Sequence, residues 1–305
     1  MGSDVDKPIL LLGPTAIHGY ALALGHPDKV QAIHNTNARD ADRLGWPYIE
    51  LEDASGLASL LRDYTGTIIY AHAVCDVGRC ESNPEWAHQK NIDNLVRVID
   101  KHNPNAQFVY LSSDHVFGDN GVYDEESAPC PISEYGRTRV EAEQIVSDMP
   151  GSVTIRVPLT LGPSISGRIG HLDWIRYRHL KGLPITIIRD EARSAVSSAE
   201  AADRIVSICE SDITGLRHIA ATRSVSRPEL ADACFAYHGL PAQYDLATRS
   251  DRPAPHLGRV TISTCYDDTW SEPLTSAVDF LTSQCHSQKP LTDTRRPFHA
   301  RPPDR

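Results

Sequence analysis

The sequence predicts an α/β protein built on a doubly wound parallel sheet, with a smaller C-terminal lobe. Short continuous runs of Ile, Leu and Val recur between longer stretches with helical spacing. Such runs mark strands buried on both faces, and strand–helix alternation requires crossover connections between parallel strands. Beyond residue 158 the alternation becomes irregular, which marks the second lobe.

In chain order, strands are expected over residues 9–12, 30–34, 48–51, 67–71, 107–111 and 153–157. Helices are expected over 86–102 and 134–146 between them. The second part starts with LDWIRYRHLKGLP (172–184) and PITIIRD (184–190), followed by helices at 199–211 and 227–238. In doubly wound sheets a ligand sits outside the carboxyl ends of the strands. The loops after the first, fourth and fifth of these strands are therefore the places to look for chemistry.

The composition narrows the function classes. With 305 residues, 40% apolar and 23% charged, the chain can bury a large core. Lys plus Arg number 30 against 40 Asp plus Glu, a formal charge of −10, which repels phosphate backbones and anionic lipid. Neither nucleic acid nor a membrane is an expected partner. Only six of the 30 basic residues are Lys, so any role that needs a lysine has few candidates. The seven cysteines, Cys75, Cys80, Cys130, Cys209, Cys234, Cys265 and Cys285, contain no C-x-x-C pair. That argues against a disulfide framework and against a zinc site, and fits a reducing cytoplasm. No metal site is expected. The opening MGSDVDKPILLLG reads as neither a signal peptide nor an anchor, and the polar, Pro- and Arg-rich residues 286–305 read as a loose tail.

Gly13-Pro14-Thr15-Ala16-Ile17-His18-Gly19 follows the first strand and opens a helix. In that context a glycine-spaced loop can present backbone N–H groups to a pyrophosphate. Gly13 permits the turn and Gly19 close helix packing, while Ala16 stands where a glycine would let the backbone nearest the phosphate. An ordinary strand–helix turn has the same spelling. The second strand runs into Asn35, Thr36, Asn37, Ala38 and Arg39, with no acidic residue for an adenosine ribose hydroxyl. Arg39 can instead meet a 2′-phosphate, or simply be a solvated residue at a helix start. The expectation leans to NADP, with NAD as the alternative.

Two further strings are more specific. After the fourth strand comes Ala71-His72-Ala73-Val74-Cys75-Asp76-Val77, through Glu81 and Pro84 to Asn91. After the fifth comes Leu111-Ser112-Ser113-Asp114-His115-Val116-Phe117, then Tyr123, Glu125, Pro131 and Tyr135-Gly136-x-x-Arg139. Together these resemble the extended short-chain dehydrogenase/reductase superfamily, and within it dTDP-4-dehydrorhamnose reductases and their relatives. The similarity continues through Arg156, Gly162, Asp190, residues 215–219 and Arg252-Pro253.

The resemblance implies a Rossmann-type fold: a dinucleotide-binding domain over 1–158 with a returning segment near 186–212, and a substrate lobe over 159–285. It also implies a carbonyl reductase in which Ser113 holds the substrate oxygen and Tyr135 supplies the proton. Asn91 would be a helix-bend residue supporting a water relay. Cofactor contacts fall on Gly13, Thr15, Ala16, Ile17, Gly19, Asn35, Arg39, Ala71, His72, Ala73, Tyr135 and position 139. Substrate contacts fall on Asp114, His115, Val116, Arg156, Trp174 and Arg193. The substrate implied is a nucleotide-linked 4-keto-6-deoxysugar, and a homodimer is compatible with the family.

The departure is Arg139, where the family has Lys. Four residues after Tyr135 on one helix face, it still brings a cation to the phenol, but a planar fork replaces a compact point charge. Arg139 and Ala16 both touch cofactor handling. They keep open a non-catalytic nucleotide-binding or regulatory protein, and a redox-neutral epimerase or dehydratase with tightly held nicotinamide. Residue by residue, plainer readings also stand: Ser113 as a strand cap, Tyr135 as a core aromatic, and Arg156, Trp174 and Arg193 as packing or ion-pair residues. His18, His72 and His115 receive no proton-transfer role.

Overall fold

A computed structural model of the chain describes residues 8–36 and 38–287. Six parallel strands form the central sheet: β1 (Ile9–Leu12), β2 (Val30–Ile33), β3 (Thr67–Tyr70), β4 (Gln107–Ser113), β5 (Val153–Val157) and β6 (Gly215–His218), in the spatial order β6-β5-β4-β3-β1-β2. The order reverses at β1, which opens the crevice expected of a doubly wound sheet.

Alternation along each strand feeds two cores. Ile9, Leu11, Ile69, Val109, Leu111 and Ile155 face one side, under the helices Ile17–Gly25 and Ser198–Cys209. Leu10, Leu12, Ile68, Tyr70, Phe108 and Tyr110 face the other, under Ala54–Leu61, Asn94–Ile99 and Glu134–Ser147. Strands sandwiched this way cannot alternate polar with apolar, so their sequences read as continuous apolar runs. Each fully buried Leu contributes roughly 1.5–3 kcal/mol of transfer free energy.

A second, five-stranded sheet orders Ser224–Ser226, Ala192–Ser197, Arg259–Ile262 and Gly121–Tyr123, with Leu159–Leu161 paired to Ala192–Ser197. Thr186–Ile188 and Asp245–Ala247 make a separate parallel pair. A third core packs the helices Gly170–Leu180 and Arg227–Tyr237 against this part. The return to the central sheet is made by Ser198–Cys209 and β6, whereas residues 192–197 belong to the second sheet.

Three expectations are corrected. Residues 48–51 form no strand: Tyr48 makes one parallel bridge to His34, and the chain then turns, with Asp53 N–H bonding Glu50 O at 3.0 Å. The expected helix over 86–102 is two short helices, Pro84–His88 and Asn94–Ile99, joined by a π-turn over Gln89–Asp93. The tail expected from residue 286 starts inside the helix Ala277–Ser287, and its remainder lies outside the described residues.

Candidate active site

The loop after β1 is fixed by two glycines. Gly13 has φ +95°, a conformation that L side chains avoid, and a Cβ there would lie 2.6 Å from His72 N. A Cβ on Gly19 would lie 2.4 Å from Gly13 O. The loop therefore lies tight against the start of the loop after β3. Ala16 occupies the N-cap position of the helix Ile17–Gly25 and makes no side-chain cap bond. Ile17 meets the second lobe, since a Cβ on Gly170 would lie 2.7 Å from Ile17 Cδ1.

Two side-chain contacts stitch the neighbouring loops across this one. Asn35 Nδ2 donates to His72 Nδ1 at 2.9 Å, and Thr15 Oγ1 lies 3.5 Å from Thr36 Oγ1. Asn35 Oδ1 and His72 Nε2 are buried and have no hydrogen-bond partner among the described residues. Ala71 is buried and bonds Leu12 O through its N–H, and Ala73 packs against the small cluster around Tyr135. Arg39 is exposed at the start of the short helix Arg39–Arg43.

Ser113 ends β4. Its Oγ donates to Asp114 Oδ1 at 3.2 Å and accepts from His115 N at 3.3 Å. Tyr135 lies in the first turn of Glu134–Ser147, a helix fixed by Ser133 Oγ accepting from Gly136 N at 3.0 Å. Burial raises the Tyr135 phenol, with the Arg139 charge and a hydrogen bond to Ser113 pulling it back. The structure thus brings Ser113, Tyr135 and Arg139 together.

Arg139 is only 2% exposed. Its guanidinium carbon lies 5.4 Å from the Tyr135 ring centre and 5.3 Å from that of Tyr110. No carboxylate pairs with it among the described residues, and its Nε and Nη2 have no hydrogen-bond partner. The Tyr70 and Tyr110 hydroxyls also have no partner among the described residues. Such groups are costly to bury alone.

Asn91 sits in the π-turn, fully buried. Its Oδ1 accepts from Val74 N at 2.8 Å, and its Nδ2 donates to Val74 O at 3.2 Å and Thr138 Oγ1 at 3.0 Å. It clamps the loop after β3 to the helix that carries Tyr135.

Asp114 is completely buried and grips Arg193 through two hydrogen bonds, one of them 2.9 Å from Nε to Oδ2. Arg193 reaches Glu191 at 3.6 Å, and Glu191 also meets Arg227 at 3.8 Å and His256 at 3.2 Å. Burial would raise the Glu191 carboxyl, yet the His256 hydrogen bond and the two arginine charges hold it at about 2. Arg227 donates to His171 Nε2 at 2.6 Å. The His115 ring lies 5.1 Å from that of Tyr135. Burial lowers His115, His18 and His72 each to about 4, so all three are neutral near pH 7. His18 bonds Thr160 at 3.2 Å and feels the charges of Asp114 and Arg139.

Other expected contact residues lie elsewhere. Val116 is wholly buried in a small core with Phe117. Arg156 is held by Glu143 at 2.7 Å and by His218 at 3.2 Å. Trp174 packs on the core of the second lobe, with Arg178 5.3 Å over its ring. Sequence reasoning missed Glu143, which also accepts from Ser112 Oγ at 2.5 Å. Residues 135, 139 and 143 recur every four positions, and that spacing was the available signal. No cluster of three or more potential metal ligands occurs among the described residues.

The description "RmlD substrate binding domain" matches residues 7–267. The chain belongs to this family. The Gly13–Gly19 loop and the strings from Ala71 to Asn91 and from Leu111 to Arg139 all lie within the matched residues. Among curated relatives, this RmlD-family chain is 26% identical over 193 residues to a probable low-salt glycan biosynthesis reductase of Haloferax volcanii, covering 60% of this chain and 64% of that protein. It is 33% identical over 121 residues to methionine adenosyltransferase 2 subunit beta of Xenopus tropicalis, covering 38% and 36%. The aligned regions thus span under two thirds of either relative. In fold it resembles the dTDP-4-dehydrorhamnose reductase of Bacillus anthracis solved with NADP: TM-score 0.77, 18% identity, 93% of this chain and 100% of that one. No helix among the described residues is long and apolar enough to cross a membrane.

Proposed function

We propose that the protein is a nicotinamide-dependent reductase of a nucleotide-linked keto sugar, of the 4-keto-6-deoxy class. The observation that carries this is the convergence of Ser113, Tyr135 and Arg139 at the carboxyl end of β4, beside the glycine loop of β1. A dinucleotide fits this surface: the glycine-bounded loop after β1 lies against the start of the loop after β3, and Asn35, His72 and Arg139 retain buried polar atoms that have no partner among the described residues.

When bound, the reduced nicotinamide supplies a hydride to the carbonyl carbon. Ser113 Oγ donates a hydrogen bond to the carbonyl oxygen and holds it beside Tyr135. Tyr135 passes its hydroxyl proton to that oxygen as charge builds there. A phenol kept protonated by burial is in the right state for a reduction. Arg139 stabilises the phenolate left behind, and its unpartnered N–H groups would hold ribose hydroxyls of the cofactor. Arg193 and Arg227, anchored by Asp114 and Glu191, set the wall on the substrate side, and His115 packs against the Tyr135 ring.

The test is oxidation of NADH and NADPH by the purified protein with a panel of nucleotide-linked 4-keto-6-deoxysugars. Turnover is expected, and Tyr135→Phe should remove nearly all of it, about 10²-fold or more. Undiminished activity in Tyr135→Phe would overturn the reading. The similarity to a methionine adenosyltransferase beta subunit, together with the substitution of Lys by Arg139, favours a second reading: a binding protein without turnover. Any substrate-dependent oxidation of NADH or NADPH rejects that second reading.

A further inference from the structure

We propose that Asn35 and His72 together read the adenosine ribose of the dinucleotide as an uncharged diol, and so select NAD(H) over NADP(H). This rests on the dinucleotide reading above and names the pair that sets its specificity.

The two residues lie at the ends of β2 and β3, strands separated by β1. Their side chains meet over Gly13, whose missing Cβ leaves room for the His72 backbone. The Asn35 amide nitrogen has only protons to offer, so His72 Nδ1 is the acceptor of their 2.9 Å bond. In a neutral imidazole the proton is then on Nε2. The couple thus presents one acceptor, Asn35 Oδ1, beside one donor, His72 Nε2–H, and neither has a partner among the described residues. His72 is 8% exposed. A buried donor beside a buried acceptor, each unsatisfied, complements a pair of vicinal hydroxyls, since a hydroxyl can both give and accept.

The couple gives nothing to a phosphate dianion. The carboxylate that usually meets the ribose diol is replaced here by two neutral groups, which can do the same work without its charge. Burial keeps the imidazole uncharged near neutrality. Arg39, the cation that a 2′-phosphate would call for, is exposed on the following helix rather than part of this bridge.

Calorimetric titration of the full-length protein with NAD⁺ and with NADP⁺ near neutral pH tests this, alongside His72→Ala, His72→Gln and Arg39→Ala. NAD⁺ should bind several-fold tighter than NADP⁺. His72→Ala should weaken NAD⁺ by about tenfold, with thermal melts confirming the fold. His72→Gln, which keeps a donor and an acceptor, should recover most of that loss, and Arg39→Ala should leave NAD⁺ affinity unchanged. Tighter binding of NADP⁺, abolished by Arg39→Ala, would overturn the proposal and restore Arg39 as the selector. Unchanged NAD⁺ affinity in a folded His72→Ala would overturn it as well. If neither nucleotide binds the wild type, the dinucleotide reading falls with it, whereas binding that ignores His72 removes only this inference.

Discussion

Arg139 is the residue at which stability and function pull apart. A guanidinium carries five N–H donors and cannot shed its charge, yet here it is buried beside the Tyr110 and Tyr135 rings, with two of its nitrogens unpartnered among the described residues. Replacing such a group by an apolar side chain of similar reach removes the desolvation cost. Arg139→Met should therefore stabilise the ligand-free protein by about 1–2 kcal/mol in urea unfolding. A loss of stability instead would mean that the guanidinium is satisfied inside the protein. The same variant should slow turnover and move its pH profile. The Tyr135 phenol is raised by burial and lowered by Arg139, so loss of the cation raises it further. Reduction uses the protonated phenol and fails as pH rises through its pKa. The alkaline limb of the rate profile should therefore move to higher pH in Arg139→Met, and a shift to lower pH would contradict the placement of the charge.

At the scale of elements, the helix Glu134–Ser147 is tied to the sheet by one carboxylate. Glu143 accepts from Ser112, next to Ser113, and from Arg156 on β5. Glu143→Leu would strand the Arg156 guanidinium and should cost about 3–5 kcal/mol, measured by urea unfolding. Asn91→Ala frees both polar groups of Val74 and should cost about 2–4 kcal/mol by the same measurement. A loss under 1 kcal/mol would show that water replaces the clamp. These ties explain what the sequence disclosed and what it withheld. The strands around Leu11, Ile69 and Val109 were legible because burial on both faces leaves continuous apolar runs. Ser113, Tyr135 and Arg139 were legible because two of them share one helix face and all three sit in ordered motifs. The π-turn at Gln89–Asp93 was not, since one extra residue per turn shifts the helical phase without altering composition. Nor was the fate of residues 48–51, whose largely apolar run fits a strand although pairing beside β2 stops at the Tyr48–His34 bridge and the Ile49 N–H bond to His34 O. Long-range ties such as Asp114 to Arg193, 79 positions apart, leave no local periodicity to read.

Across the whole molecule, folding keeps several imidazoles near the candidate site neutral. His18, His72 and His115 each fall from 6.5 to about 4, with burial the leading cause. In the unfolded chain the same groups take up protons as pH drops below about 6.5. Between roughly pH 6.5 and 4 the unfolded state thus binds more protons than the folded one, so stability rises with pH across this window and is lost on acidification. Glu191 adds to the lower end: held at about 2 against an ordinary 4.5, it contributes stability that is present above 4.5 and lost as pH falls towards 2. Each histidine contributes a slope of about 1.4 kcal/mol per pH unit where only its unfolded form titrates. Urea unfolding at a series of pH values from 7 to 4 should therefore show a steep decline. His115→Phe, which keeps a ring against Tyr135, should flatten that slope by about one proton. A slope unchanged in this variant would show that His115 is already free to protonate in the folded protein, and with it that the crevice beside Tyr135 is open to water.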